Sequence, residues 1–154
     1  MNTKSADWLS NSIKCHQNTL YRTAIAMLRN KSDAEDILQD VFLKLYEKQP
    51  DFESAEHEKA WLIRVCVNMC KNRLKHSSRQ TAELLLEGVA DVGEEHSRVL
   101  DSVLALPPKY RMAVHLYYYE GYNTSEISDI TQQSESAVRK QLERARKQLK
   151  EEYL

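Results

Sequence analysis

The sequence predicts an all-α protein: two small helical domains joined by a flexible acidic linker, the second containing a helix-turn-helix. Three observations carry this reading. Apolar residues recur at i, i+3, i+4 and i+7 through most segments, the period of a helix with one buried face. No segment alternates at strand period between turn signals. The chain holds three Gly and three Pro in 154 residues, and all six stand between helical stretches, at Pro50, Gly88, Gly93, Pro107, Pro108 and Gly121, where such residues end or start helices.

The first helix is expected over roughly Trp8–Asn30, with Leu20, Tyr21, Ala24, Ile25 and Leu28 on its inner face. Ser32 or Asp33 then offers an N-cap, with Glu35 and Asp36 in the first turn, where the helix dipole favours acids. The second helix should run to about Lys48 and bury Ile37, Leu38, Val41, Phe42 and Leu45. A third is expected from Glu58 to His76, with Trp61, Leu62, Val65, Cys66, Met69 and Cys70 inward. These three make the first domain, residues 1–79. Residues 80–97 read as the linker, with a short apolar run at Leu84–Leu86 in an otherwise acidic, glycine-containing stretch. Residues 98–154 make the second domain. Val99, Leu100, Val103, Leu104 and Leu106 pattern its first piece, and Pro107-Pro108 starts another, which Gly121 ends.

Residues 123–150 have the proportions of a helix-turn-helix. A short helix over Thr124–Ile130, capped by Asn123 or Thr124 with Glu126 near N3, leads through Thr131-Gln132-Gln133 to a last helix capped by Ser134. Val138, Leu142, Ala145 and Leu149 form that helix's narrow apolar stripe, and Ile127 and Ile130 would lock against it. The opposite face carries Ser136, Arg139, Lys140, Glu143, Arg144 and Lys147. Arg reads guanine edges and Lys holds phosphates, so this face suits duplex DNA. An ordinary antiparallel helix pair with a solvated charged face is the plain alternative.

The net charge of −1 hides a segregated distribution. Residues 59–79 carry six basic side chains and no acid, residues 80–97 five acids and no Lys or Arg, and residues 134–150 six bases against two acids. Phosphate affinity follows local cation density, so two basic faces can act on DNA while the total cancels. The short apolar runs leave no membrane span, and MNTKSADWLS lacks a signal peptide's apolar core, so a cytoplasmic protein is expected. Cys15, Cys66 and Cys70, an odd number without a secretion signal, argue against a disulfide framework. The i, i+4 pair Cys66/Cys70 fits buried thiols better than a metal site. The five histidines form no spaced cluster, and no phosphate-binding glycine loop or nucleophile elbow is present. No catalytic residue, metal or cofactor is expected.

Two first-domain segments, Asp33-Ala34-Glu35-Asp36-Ile37-Leu38-Gln39-Asp40-Val41-Phe42-Leu43-Lys44-Leu45 and Lys59-Ala60-Trp61-Leu62-Ile63-Arg64-Val65-Cys66-Val67-Asn68-Met69-Cys70-Lys71-Asn72-Arg73-Leu74-Lys75, closely resemble conserved regions of bacterial extracytoplasmic-function sigma factors. Leu104-Ala105-Leu106-Pro107-Pro108-Lys109-Tyr110-Arg111, followed by Tyr118-Tyr119-Glu120-Gly121-Tyr122 and the helix-turn-helix, resembles the family's other conserved domain. The three motifs in this order are highly specific. The resemblance implies a transcription initiation factor that binds core RNA polymerase through the clamp of the large catalytic subunit and the flap region, directs it to promoter DNA and helps open the duplex. It implies a polymerase-facing surface at Asp33, Glu35, Asp36, Gln39, Asp40 and Lys44, and their acidity suits a basic partner, although a solvated helix face explains them too.

It further implies a minus-ten contact on the third helix at Trp61, Arg64, Asn68, Lys71, Asn72 and Lys75. There Asn can read a base edge and the cations can hold phosphates. Trp61 is either a stacking wedge or core. The loop Asp51–Glu58 would form a pocket for a flipped base. The minus-thirty-five contact would use Thr124, Ser134, Ser136, Arg139, Lys140, Glu143, Arg144 and Lys147. The linker would pass near the polymerase active site and RNA exit path, as an RNA mimic or a solvated tether. An anti-sigma inhibitor, able to hold the protein at a membrane, is an implied partner, with no membrane insertion by the chain itself. Two other classes remain open: a free-standing helix-turn-helix repressor or activator, which would bind a duplex operator alone, and a helical adaptor, which would show no salt-dependent DNA binding.

Overall fold

A computed structural model describes residues 6–76 and 102–153, with side chains to residue 150. The expected linker, residues 80–97, and Val99 and Leu100 lie outside the described residues. Residues 102–104 are helical, and six complete α-helices follow the chain. They are α1 (Ala6–Leu28), α2 (Lys31–Lys48), α3 (Ala55–His76), α4 (Pro108–Val114), α5 (Thr124–Thr131) and α6 (Glu135–Tyr153), with a π-helical turn, His115–Tyr119, continuing α4. Among the described residues there is no strand.

The helix ends follow from local chemistry and correct several sequence expectations. Neither Ser32 nor Asp33 caps α2. Asn30 does, in an extended conformation with its Oδ1 accepting from the Asp33 amide at 2.9 Å. The preceding Arg29 takes φ 55°, so the chain turns sharply out of α1. Helix α3 begins at Ala55, three residues before the expected Glu58. The Ser54 hydroxyl accepts from the His57 amide at 3.0 Å, the pattern of an N-cap. Of the expected pocket loop Asp51–Glu58, residues 55–58 are therefore helical. Pro108 opens α4, and Gly121 at φ +80° ends the π turn as expected. The helix-turn-helix joint comes one residue later than expected, because Thr131 completes α5 and the turn is Gln132-Gln133-Ser134. Gln132 takes the left-handed conformation at φ 56°.

Helices α1, α2 and α3 pack around Leu20, Ala24, Ile37, Val41, Leu45, Leu62 and Cys66, all enclosed. Between α4, α5 and α6 lie Met112, Leu116, Ile127, Val138 and Leu142. The two groups form one continuous apolar cluster. Both α1 and α3 make the join, and α3 is apolar on two sides. Ile63 and Val67, fully buried and at i, i+4, share a face with Lys59 and Lys71, and this face meets the C-terminal half. The Lys59 ammonium lies 3.6 Å from the Glu120 carboxylate, and Lys71 Nζ donates to the Thr131 carbonyl at 2.7 Å.

Candidate nucleic-acid and partner interfaces

The acidic surface of α2 arises because Ala34, Ile37, Val41 and Leu45 turn inward at helical spacing. That leaves Glu35, Asp36, Gln39, Asp40 and Lys44 exposed. Asp33 is less available, since Arg73 of α3 donates to its carboxylate at 3.1 Å and lies 3.9 Å from Asp36. Asp36 and Gln39 edge a groove between α1 and α2, whose apolar lining includes Leu9, Ile13 and Phe42. Asp40 and Lys44 edge a second groove with Asn72 and Arg73 of α3. Leu43 lines both grooves and is 56% exposed, and Tyr46 in the first is 54% exposed. Sequence reasoning passed over these two. Their signal was there: they are the apolar α2 residues left over once the inward stripe is assigned.

On α3, Arg64, Asn72 and Lys75 are exposed, while Asn68 and Lys71 are half-buried. Lys71 is already engaged with Thr131. Burial pushes its ammonium down from the ordinary lysine range, and the nearby charge of Lys109 adds to this. Trp61 is half-buried against the core and takes an edge contact from Phe52 at 5.7 Å between centroids. Phe52 in turn meets the His57 ring edge-on at 5.3 Å. These contacts tie the loop before α3 to the helix. The same helix is clamped to α1 by Glu58, whose carboxylate lies 2.7 Å from His16 Nε2.

The helix-turn-helix is rigidly pinned. Asn123 and Glu126 form a reciprocal capping box, with the Asn123 side chain accepting from the Glu126 amide at 2.8 Å and the Glu126 carboxylate accepting from the Asn123 amide at 2.9 Å. Ser128 donates to the Gln133 carbonyl at 2.8 Å, and the Ser134 hydroxyl accepts from the Ala137 amide at 3.1 Å, capping α6 as expected. Ser136, Arg139, Lys140, Glu143, Arg144 and Lys147 all stand exposed on the outer side of α6. Thr124 is half-buried, and its hydroxyl donates to the Glu135 carboxylate at 2.7 Å. Glu135 also pairs with Arg139 at 3.0 Å. Arg146 points elsewhere, its guanidinium within 6 Å of the Tyr117 and Tyr118 rings. The structure thus offers an acidic face with an apolar centre on α2 and separate basic faces on α3 and α6.

Two family models match the chain. Residues 13–80 match "Sigma-70 region 2" and residues 96–149 match "Sigma-70, region 4". The ECF RNA polymerase sigma factor SigM of Bacillus subtilis (strain 168) is 33% identical over 150 residues, covering 90% of each chain. The chain belongs to the ECF sigma factor family. Further sigma-factor relatives are longer. The probable RNA polymerase sigma factor RfaY of Xanthomonas campestris pv. campestris is 29% identical over 90% of this chain and 38% of its own length. SigE of Mycolicibacterium smegmatis is 28% identical over 90% of this chain and 59% of its own. The chain thus spans less than two thirds of these two relatives. Among solved structures, the sigma factor RpoE, in complex with the anti-sigma factor NepR from Bartonella quintana, shares the fold at TM-score 0.75 and 22% identity, over 96% of both chains.

Among the described residues, no helix is long and apolar enough to cross a membrane, and no cluster of His, Cys, Asp or Glu is placed to hold a metal. Cys66 and Cys70 are wholly enclosed, and Cys15 is exposed. The hydrogen bond with Cys66 pushes the Cys70 thiol up, with burial adding to it, so Cys70 is held in its unreactive protonated form.

Proposed function

We propose that the chain works without catalysis of its own, in the cytoplasm, by docking on core RNA polymerase and presenting two DNA-reading faces to a promoter. Residues 1–79 serve as the polymerase and minus-ten module, 80–97 as the tether, and 98–154 as the minus-thirty-five module. The observation that carries this is the segregation of surfaces on one chain: an acidic face for a basic protein partner and two basic faces for nucleic acid.

In this reading Asp36, Gln39 and Asp40, with the exposed Leu43 between their two grooves, meet the polymerase clamp. Glu35 and Lys44 flank them, and Asp33 helps by anchoring Arg73. Charge complementarity steers the encounter, and the apolar centre supplies contact area. The flap region of the polymerase receives the C-terminal module. Arg64, Asn68, Lys71, Asn72 and Lys75 hold the minus-ten element, and Trp61 borders it. Arg139, Lys140, Arg144 and Lys147 enter the major groove at the minus-thirty-five element, with Ser136 and Glu143 as neighbouring polar contacts. Ser134 and Thr124 hold that helix in position. An anti-sigma protein that covers these faces is the expected negative partner, and the sigma-factor neighbour crystallised with an anti-sigma factor supports it.

Run-off transcription with core polymerase, with and without this protein, on a library of promoters tests the reading. Promoter-dependent transcripts only in its presence are expected. Tight binding to a duplex operator without polymerase, and no gain in transcription, would replace it with a free-standing regulator.

A further inference from the structure

The DNA-facing helix α6 carries a charge that DNA binding does not call for. Residues 134–150 hold only two acids, Glu135 and Glu143, and Glu135 stands in the first turn, the part of such a helix that meets base edges. An acid there lowers affinity. It offsets the positive pole of α6, and its charge opposes every phosphate that comes near. An ordinary i, i+4 ion pair accounts for one of its contacts, with Arg139 Nη1 at 3.0 Å from Oε2. It does not account for the other. Thr124 of the preceding helix donates to the same oxygen at 2.7 Å. Thr124 is itself fixed, because it follows Asn123, whose capping box with Glu126 sets the first turn of α5. The carboxylate is thus anchored from α5 and holds the guanidinium on α6.

We propose that Glu135 is a specificity-determining residue of the helix-turn-helix: it lowers affinity for DNA in general and raises preference for one base pair. The proposal rests on the minus-thirty-five reading above. Two effects act together. Held at Nη1 by Glu135, the Arg139 side chain has fewer directions open to it, so less freedom is lost when it meets the two acceptors of a guanine edge. A phosphate that meets Arg139 brings a second anion beside the carboxylate, and their repulsion subtracts from that contact. A guanine edge has no net charge, and Arg139 can approach it while Glu135 stays on Thr124. The carboxylate therefore weakens backbone contacts more than the base contact, which is discrimination by repulsion. In this arrangement Arg139 touches the base, and Glu135 and Thr124 are positioning residues behind it.

The test uses the full-length chain in two settings. Alone, it is titrated with random-sequence duplex at several salt concentrations. With core polymerase, it chooses between a promoter from the run-off library and copies changed one base pair at a time in the upstream element. Glu135→Gln should bind random duplex about two- to fivefold more tightly, the range of an exposed charge pair, with a steeper salt dependence. Its preference should fall several-fold at the one G·C pair whose recognition Arg139→Ala also loses. In an Arg139→Ala background, Glu135→Gln should no longer change the preference. Thr124→Val keeps the charge but frees the carboxylate, so it should lower the same preference without tighter binding to random duplex, and Thr124→Ser should retain it. Equal losses at every sequence would mark a merely structural pair and overturn the proposal. So would an unchanged preference in Glu135→Gln or, if circular dichroism shows that variant unfolded, in Thr124→Val. A wild-type holoenzyme indifferent to every upstream change would remove the minus-thirty-five reading itself, and the proposal with it, before any variant is compared.

Discussion

Glu135 stands between Thr124 and Arg139, accepting from the Thr124 hydroxyl at 2.7 Å and pairing with the Arg139 guanidinium at 3.0 Å. The residue that best suits base reading is thus held in place before DNA arrives, at both helices of the helix-turn-helix. Arg139 is 60% exposed at its side chain, so the pair is weak in water and exchanges readily for a base edge. The double variant Arg139→Ala, Arg144→Ala should lose about 1–3 kcal/mol per base-reading contact. Promoter preference measured by competition between upstream sequences checks it, and unchanged preference would place the reading face elsewhere.

Charge reversal at Asp36 and Asp40 to Lys should weaken binding to core polymerase by about tenfold or more, because like charges brought together across an interface cost up to several kcal/mol. Fluorescence anisotropy with labelled protein and core polymerase measures this. Binding of the same variant to upstream duplex DNA should be unchanged, since α6 lies in the other module.

Asn123→Ala removes one half of the capping box of α5. The expected loss is about 1 kcal/mol, read from the urea midpoint of the full chain. Glu126→Ala should cost less, because its carboxylate meets the cap from the outside.

Thiol titration should find one reactive cysteine of the three in the native protein and all three in denaturant. Cys15 is exposed, whereas Cys66 and Cys70 are 0% exposed. Rapid native reaction of more than one thiol would show that α3 opens far more easily than its packing implies.

The pH dependence of the contact between the two halves comes from Glu120. Burial alone would raise its pKa, but the hydrogen bond with His115 and the charges of Lys59 and Arg22 outweigh burial and hold the carboxyl below its ordinary value. A carboxyl lowered in the folded chain adds stability above the ordinary range near 4.5, and that contribution fades as pH falls through the lowered value. The facing groups are His115 and Tyr122 of its own module, Arg22 of α1 and Lys59 of α3. The difference in urea midpoint between wild type and Glu120→Gln should therefore be full at neutral pH and shrink below that range. A difference constant down to pH 3 would show that the Glu120 charge does not sense the contact.

Helical periodicity sufficed for the helices because each buries at least one strong stripe, and for the turn chemistry at Ser134 and Gly121 because those residues act through their immediate neighbours. It misplaced the α2 cap, since Asn30, Ser32 and Asp33 are all good caps and only the backbone decides among them. The second apolar side of α3 was also hidden. Ile63 and Val67 sit within the polar spacing of Arg64, Asn68 and Lys71, and their partner is more than forty residues away along the chain. Arg111, Glu120 and His115 were invisible as a unit for the same reason: their contacts join helices that no local pattern links. The exposed Leu43 falls outside the inward stripe of Ile37, Leu38, Val41, Phe42 and Leu45, and a single apolar residue on a polar face carries no periodic signal.

The continuous apolar cluster through α3 has a thermodynamic meaning. Two modules with separate cores melt independently, and each tolerates its own mutations. Here the buried residues of both halves belong to one cluster, so loss of packing in one half exposes surface in the other. The free chain is thus a single cooperative unit, in which a substitution in the DNA-reading half changes the stability of the polymerase-binding half.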